Sequence, residues 1–129
     1  MDTQPTKKSV LIAEDETALR ELYMSLLQKE GYEVVGVDNG EAAYGVLLAR
    51  HFDLLLLDIL MPKLTGLELL DRLQRESKLD AASKIVMLTN LSDDTRIAES
   101  LRYGIRGYMV KSNYTPDIFI KEVKHYVES

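Results

Sequence analysis

The chain lacks cysteine entirely and has only two histidines among its 129 residues. A chain without cysteine has neither a disulfide framework nor a thiolate metal site, and two imidazoles disfavour zinc. We interpret His51 and His125 as surface residues. Long apolar runs are also absent near the start, where residues 1–8 are polar and the run Val10 to Ala13 is short. The sequence therefore predicts no signal peptide and no membrane span.

The chain also lacks an excess of basic over acidic residues, with 16 lysines and arginines against 21 aspartates and glutamates. The formal net charge is −5, whereas a nucleic-acid surface normally appears as a basic stripe, so we expect no direct nucleic-acid partner. The length is close to the commonest domain size and allows roughly two-thirds of the unfolded surface to be buried. We predict a cytoplasmic protein with a flexible tail over residues 1–8 and one compact domain over residues 9–129.

Four short apolar runs end in polar residues of chemically useful kinds. These residues are Glu14 with Asp15, then Asp58, Thr89 and Lys111. If the runs are neighbouring parallel strands, their ends converge, and ligands of open α/β sheets bind beyond the carboxyl ends of the strands. One crevice would then hold three carboxylates, a hydroxyl and an ammonium group.

Strand and helix patterns alternate five times along the chain. We predict a first helix over Thr17 to Glu30, a second strand over Glu33 to Val37, and a second helix over Glu41 to Arg50 with Asn39 as its N-cap. Four consecutive leucines before Asp58 indicate a central strand covered on both faces. A fourth, more polar helix should end near Gly104. The predicted inward faces are Leu19, Leu22, Tyr23, Leu26 and Leu27 in the first helix, Leu67, Leu70 and Leu73 in the third, and Phe119, Ile120, Val123 and Val127 in the fifth.

This pattern predicts an α/β fold, a single doubly wound (βα)5 domain with helices on both faces of a parallel sheet. The strand order 2-1-3-4-5 suits five strands and places Glu14 and Asp15 opposite Asp58 at the switch point. Clustered carboxylates are costly without a cation, and all-oxygen ligands favour Mg²⁺ or Mn²⁺. Taken alone, Asp15 is equally well explained as a helix N-cap.

One of the carboxylates can also be a nucleophile. A carboxylate that attacks phosphorus forms an acyl phosphate, and this transfer depends on in-line positioning and on cations over the phosphoryl oxygens. Asp58 is the best candidate because it ends the central strand. Lys111 can pair with one phosphoryl oxygen, and the Thr89 hydroxyl can donate to another.

Together these residues closely resemble the response-regulator receiver domain of two-component signalling. The resemblance covers essentially residues 9 to 128. It rests on Glu14-Asp15, on Asp58-Ile59-Leu60-Met61-Pro62 with Gly66, on Thr89, and on Gly107-Tyr108-Met109-Val110-Lys111. Each fragment is weak by itself, but the ordered set is specific.

The resemblance implies a phosphorelay function. A histidine kinase or histidine phosphotransferase would phosphorylate Asp58, with Mg²⁺ held by Glu14, Asp15, Asp58 and the backbone carbonyl of Leu60. The domain would catalyse its own phosphorylation and dephosphorylation without turning over an external substrate. It also implies a switch, in which Thr89 moves toward the phosphoryl group and the ring of Tyr108 rotates inward. The surface of helix four, strand five and helix five would change with it.

The sequence departs from the family pattern at two places. Ser112 follows Lys111 where receivers commonly have proline, so the last loop is expected to differ, and Asn90 is bulkier than the residue usual after the threonine. Apolar Leu60 and Leu91 should flank the approach of water, where they cannot orient it. We therefore expect a comparatively long-lived phosphorylated form.

Two other functions stay open alongside the switch. An aspartyl-phosphate phosphatase resembling the haloacid-dehalogenase group needs an aspartate two residues after the nucleophile, where this chain has Leu60. An unphosphorylated interaction module would be expected to have lost one of the reactive groups, and this chain retains them all. The sequence does not decide the output partner, a phosphorylation-dependent homodimer, or whether the domain stands alone.

Overall fold

The computed structural model describes residues 7–90, 94–111 and 114–129. Strands and helices alternate along the chain. In order they are β1 (Ser9–Ala13), α1 (Thr17–Lys29), β2 (Glu33–Val37), α2 (Gly40–Ala49), β3 (Leu54–Asp58), α3 (Gly66–Arg75), β4 (Lys84–Thr89), α4 (Asp94–Ser100), a 3₁₀ turn (Leu101–Tyr103), β5 (Gly107–Val110) and α5 (Pro116–Glu128).

The five strands form one parallel sheet in the order β2-β1-β3-β4-β5. This confirms the predicted doubly wound α/β fold and its strand order. β3 lies in the middle, with Leu56 paired to Ile12 of β1 and to Val86 of β4. No helix in the described part of the chain is long and apolar enough to cross a membrane.

The four leucines of β3 are divided between two hydrophobic cores. Leu55 and Leu57 pack with α2 and α3 on one face of the sheet, and Leu54 and Leu56 pack with α1 and α5 on the other. All four are at most 1% exposed. The unbroken leucine run is therefore explained by burial on both faces, which fixes β3 and the residue at its end between two packed layers.

The predicted ends of the first two helices lie within one residue of the observed ends. The Asn39 side chain accepts a hydrogen bond from the Ala42 backbone N–H at 2.8 Å, which confirms the predicted N-cap of α2. α1 ends at Lys29, one residue before the prediction, and Gly31 follows with φ +92°. The fourth helical segment ends as a 3₁₀ turn before Gly104, whose φ of +75° only glycine adopts easily.

Two predicted faces need correction. Leu22 was expected to point inward and is 47% exposed, because α1 contacts the sheet through Tyr23 and Leu27, one turn apart. On α3, Leu69 is fully buried together with Leu70, so the buried stripe of this helix is rotated and wider than predicted. The predicted Leu67 is only half-buried.

Candidate functional site

A cluster of three carboxylates lies at the carboxyl end of the sheet, as the sequence predicted. Glu14 follows β1 and is fully buried, Asp58 ends β3 and is 3% exposed, and Asp15 is exposed. Each contributes an oxygen, and the three oxygens lie within 4.8 Å of one another. Asp15 does not cap α1, because the cap position is Glu16, whose own side chain makes no cap hydrogen bond.

Lys111 brings the countercharge to this cluster from the end of β5. Its Nζ lies 2.8 Å from Asp58 Oδ2 and 2.8 Å from Glu14 Oε1, and the residue itself is buried. The contact with Asp58 is an aligned hydrogen bond. The sequence-predicted carboxylates and ammonium group therefore meet in one pocket.

Backbone groups hold two of the carboxylates in place. The Leu60 N–H donates to Asp58 Oδ1 at 3.1 Å, and the Glu16 N–H donates to Glu14 Oε2 at 2.9 Å. α3 begins directly against the Asp58 backbone, since a Cβ at Gly66 would collide with the Asp58 carbonyl oxygen. Glycine at this position lets the helix approach the site.

The environment of the pocket shifts the pKa values of Asp58 and Lys111. Burial raises the pKa of Asp58 to about 7, opposed by the Lys111 hydrogen bond and assisted by the negative charge of Glu14. Burial alone would lower the pKa of Lys111, but its bonds to Asp58 and Glu14 raise it above the ordinary value. Three carboxylates face one ammonium group, so the ionised pocket has an excess of negative charge. Its all-oxygen donors fit a hard divalent cation such as Mg²⁺.

The other predicted site residues lie around this pocket. Thr89 ends β4 beside it and is 3% exposed, and its carbonyl accepts the Lys111 N–H at 2.8 Å. Tyr108 is on β5 and is 48% exposed, as is Leu60. The predictions for Leu91 and for the Lys111–Ser112 peptide involve residues outside those described.

Two residues of α1 support the site, although no site role was predicted for them. Arg20 donates to the Glu14 carbonyl at 2.8 Å, and the Tyr23 hydroxyl donates to the Lys111 carbonyl at 3.2 Å. Burial, and then the negative charge of Glu14, raises the pKa of Tyr23 to about 12, so the phenol remains a donor at neutral pH. The available signal was a tyrosine on an inward helix face, where a polar tip needs a partner.

Comparison with known sequences gives a consistent result. Residues 10–123 match the model of the response regulator receiver domain. The phosphate regulon transcriptional regulatory protein PhoB of Pseudomonas aeruginosa is 32% identical over 117 residues, covering 91% of this chain and 50% of that protein. The response regulator receiver protein CpdR of Brucella abortus is 39% identical over 85 residues, covering 66% of this chain and 68% of that protein. The chain thus spans about half the length of PhoB.

Solved structures show the same architecture. The chemotaxis response regulator CheY4 of Vibrio cholerae superposes with a TM-score of 0.83 at 27% identity, covering 94% of this chain and 99% of that one. A CheY-like receiver domain from Methanospirillum hungatei gives a TM-score of 0.85 at 26% identity, with 95% of each chain covered.

Proposed function

The chain belongs to the response regulator receiver family, and from this premise we propose that it is a phosphorylation-dependent signalling switch with Asp58 as its phosphoacceptor. The observation that carries the proposal is the placement of Asp58. Its buried carboxylate ends the central strand, 2.8 Å from the Lys111 ammonium and within reach of two further carboxylates. A histidine kinase or histidine phosphotransferase would be the natural donor for such a site.

The proposed reaction is a phosphoryl transfer to the carboxylate. An Asp58 oxygen attacks phosphorus, a new O–P bond forms, and the P–N bond of a phosphohistidine breaks with its electron pair going to the imidazole. The Lys111 ammonium would then pair with a phosphoryl oxygen, and the Thr89 hydroxyl would donate to another. Later attack by water on phosphorus would release inorganic phosphate and restore the carboxylate.

Mg²⁺ is the cofactor that these residues would hold. Glu14, Asp15, Asp58 and the backbone carbonyl of Leu60 would supply the ligands. When bound, the ion would offset the crowded negative charge and shield the incoming phosphoryl oxygens from the carboxylates. The excess of carboxylates over ammonium groups in the pocket supports this assignment.

The proposed switch follows from charge added at the end of β3. A phosphoryl group brings roughly −1.5 to −2 charge and three acceptor oxygens, which would draw the Thr89 hydroxyl inward. α4 follows Thr89 and has only seven residues, so it should move at low cost. The exposed ring of Tyr108 lies on β5 beside Met87 of β4 and would turn inward behind Thr89. The altered face of α4, β5 and α5 would be read by an output partner.

Intact mass spectrometry tests the acceptor. With acetyl phosphate and Mg²⁺, the protein should gain one acid-stable, base-labile phosphoryl group, and Asp58→Asn should gain none. Asp38→Asn is the matched control, because Asp38 is an exposed aspartate that follows β2 at the same edge of the sheet. It should be phosphorylated normally. An undiminished mass shift in Asp58→Asn would rule out Asp58 as the acceptor.

A further inference from the structure

The backbone of Lys111 is held from both sides. On its amino side, the Lys111 N–H donates to the Thr89 carbonyl at 2.8 Å, just beyond the last residue of β5. On its carboxyl side, the Lys111 carbonyl accepts the Tyr23 hydroxyl at 3.2 Å in a buried hydrogen bond. The second of these contacts comes from α1, which lies 88 residues earlier in the sequence.

The Tyr23 ring is itself fixed. It stacks on Phe119 of α5 with ring centroids 4.2 Å apart and planes within 8° of parallel. Tyr23 is 4% exposed and Phe119 is 1% exposed, so both rings belong to the core. A hydroxyl on such a ring has little freedom, and its donor direction is set by packing rather than by solvent.

Lys111 needs such support because of the residue that follows it. A proline restricts the backbone of the residue before it, but here Ser112 follows and imposes no such restriction. The lysine must nevertheless place its ammonium on Asp58 and Glu14 at 2.8 Å each. A small displacement of the Lys111 backbone would also displace its ammonium group from Asp58, and such misplacement lowers the reaction rate.

We infer that Tyr23 is a positioning residue for Lys111: its buried hydroxyl fixes the peptide group of the lysine and thereby the ammonium that contacts Asp58. This inference rests on the proposed function of Asp58 as phosphoacceptor. Tyr23 itself touches neither Asp58 nor the phosphoryl group in this scheme. Its effect must therefore pass through Lys111, and that dependence can be measured.

The test compares phosphorylation rates with acetyl phosphate and Mg²⁺. Tyr23→Phe keeps the ring that stacks on Phe119 and removes only the hydroxyl, and it should slow phosphorylation by about 3- to 10-fold, the range expected for one lost hydrogen bond. Mg²⁺ affinity should stay unchanged, because the hydroxyl contacts no carboxylate. Tyr126→Phe is the matched control, since this half-buried α5 tyrosine lies against Gly107 at the opposite end of β5. It should phosphorylate at the rate of the unaltered protein.

A Lys111→Met background separates positioning from general stability. Without the ammonium, the hydroxyl has nothing to position, so adding Tyr23→Phe should cause no further slowing. Equal rates for Tyr23→Phe and the unaltered protein would overturn the inference. Equal slowing with and without the lysine, equal slowing in Tyr126→Phe, or a parallel loss of Mg²⁺ affinity would do so as well. If the unaltered protein takes up no phosphoryl group, the proposed function fails and the inference fails with it.

Discussion

Two aspartates flank the same central strand and have opposite environments. Asp53 directly precedes β3, and Asp58 ends it. Burial alone would raise the pKa of Asp53, but the backbone and hydroxyl bonds from Ser9 hold it below the ordinary value. At Asp58, burial and the negative charge of Glu14 outweigh the hydrogen bonds from Lys111 and Leu60, and the pKa rises to about 7. At the amino end of β3, hydrogen bonds from Ser9 stabilise the Asp53 carboxylate. At the carboxyl end, Asp58 and Glu14 share the single ammonium group of Lys111.

The two ends of the sheet differ in how their acidic groups are compensated. At the amino end, Asp53 ties β1 to β3 through Ser9, and His51 lies 3.6 Å from Asp53 and 2.5 Å from Asp80, so acidic groups there have partners. At the carboxyl end, Lys111 is shared by two buried carboxylates. Charge that stays uncompensated in a folded domain costs stability, and perturbed groups of this kind concentrate at functional sites.

The largest expected contrast is between two lysines at opposite ends of the sheet. Lys111→Met should slow phosphorylation of Asp58 about 100-fold, the usual loss when one preorganised charge donor is removed. Lys84→Met should leave the rate unchanged, because Lys84 Nζ donates to the Val127 carbonyl at the other end. Rates measured with acetyl phosphate would check both. A similar loss in Lys84→Met would mean that the two ends are not functionally distinct.

The two aspartates should change stability in opposite directions. Without Mg²⁺ at pH 8, Asp58→Asn should raise the free energy of unfolding by about 1–3 kcal/mol, because it removes a buried charge beside Glu14. Asp53→Asn should lower it by about 1–2 kcal/mol through weakened bonds to Ser9. Urea unfolding curves of both variants measure this. A loss of stability in Asp58→Asn would show that the Lys111 pair outweighs the burial cost.

The pH dependence follows from the same shifts. Because the pKa of Asp58 is raised from 3.8 to about 7 on folding, the unfolding free energy should fall as pH rises through that interval. Asp58→Asn should remove this slope. Asp53 has a lowered pKa, so its contribution is present above 3.8 and is lost as pH falls below that value.

A smaller contrast concerns Mg²⁺. Asp15→Asn should weaken Mg²⁺ binding by about tenfold or more, because even the mutation of a residue that only hydrogen-bonds to a metal ligand lowers metal affinity by that much. The domain should remain folded, with equal or slightly higher thermal stability, because carboxylate repulsion is relieved. Asp80→Asn, at the other end of the sheet, is the control and should bind Mg²⁺ normally. Unchanged titration of Asp15→Asn together with lower stability would refute the ligand role.

The smallest expected effect concerns the lifetime of the phosphorylated form. Leu60→Asn combined with Leu91→Glu should speed dephosphorylation severalfold, below the about 100-fold of a well-placed general base. Leu48→Asn is a matched control, because Leu48 is a 49% exposed leucine on α2 and Leu60 is 48% exposed. Decay would be followed by intact mass after the phosphodonor is removed. Equal decay in all three proteins would show that Leu60 and Leu91 do not control access of water.

The sequence predicted the sheet and its charged edge because both are short-range patterns. Runs such as the four leucines of β3 mark buried parallel strands, and the residue after each run must lie at the common edge. Helix rotation was less well predicted. Leu22 and Leu69 differ from prediction because neighbouring leucines on a helix make several apolar stripes nearly equivalent, and only tertiary packing chooses among them.

Individual hydrogen bonds between distant segments were not predicted. The bond from Tyr23 to Lys111 and the link from Asp53 to Ser9 depend on how α1 and β1 come to lie beside β5 and β3. The local sequence indicates at most that the inward Tyr23 hydroxyl needs a partner, and it does not indicate which residue accepts the bond. The 3₁₀ turn after α4 was missed for a similar reason, because a helical period continues through it.

The position of Lys111 late in the chain has a consequence for biosynthesis. Domains fold largely as units while the chain leaves the ribosome from its amino end. Glu14 and Asp58 are made well before β5, so a nascent chain that ends after β4 would have to bury both carboxylates without their shared ammonium. That penalty opposes early closure of the sheet around them. β5 thus completes the hydrogen-bond ladder, and Lys111 directly after it supplies the positive charge that offsets the two buried carboxylates. This favours synthesis of β5 and Lys111 before the domain becomes stable.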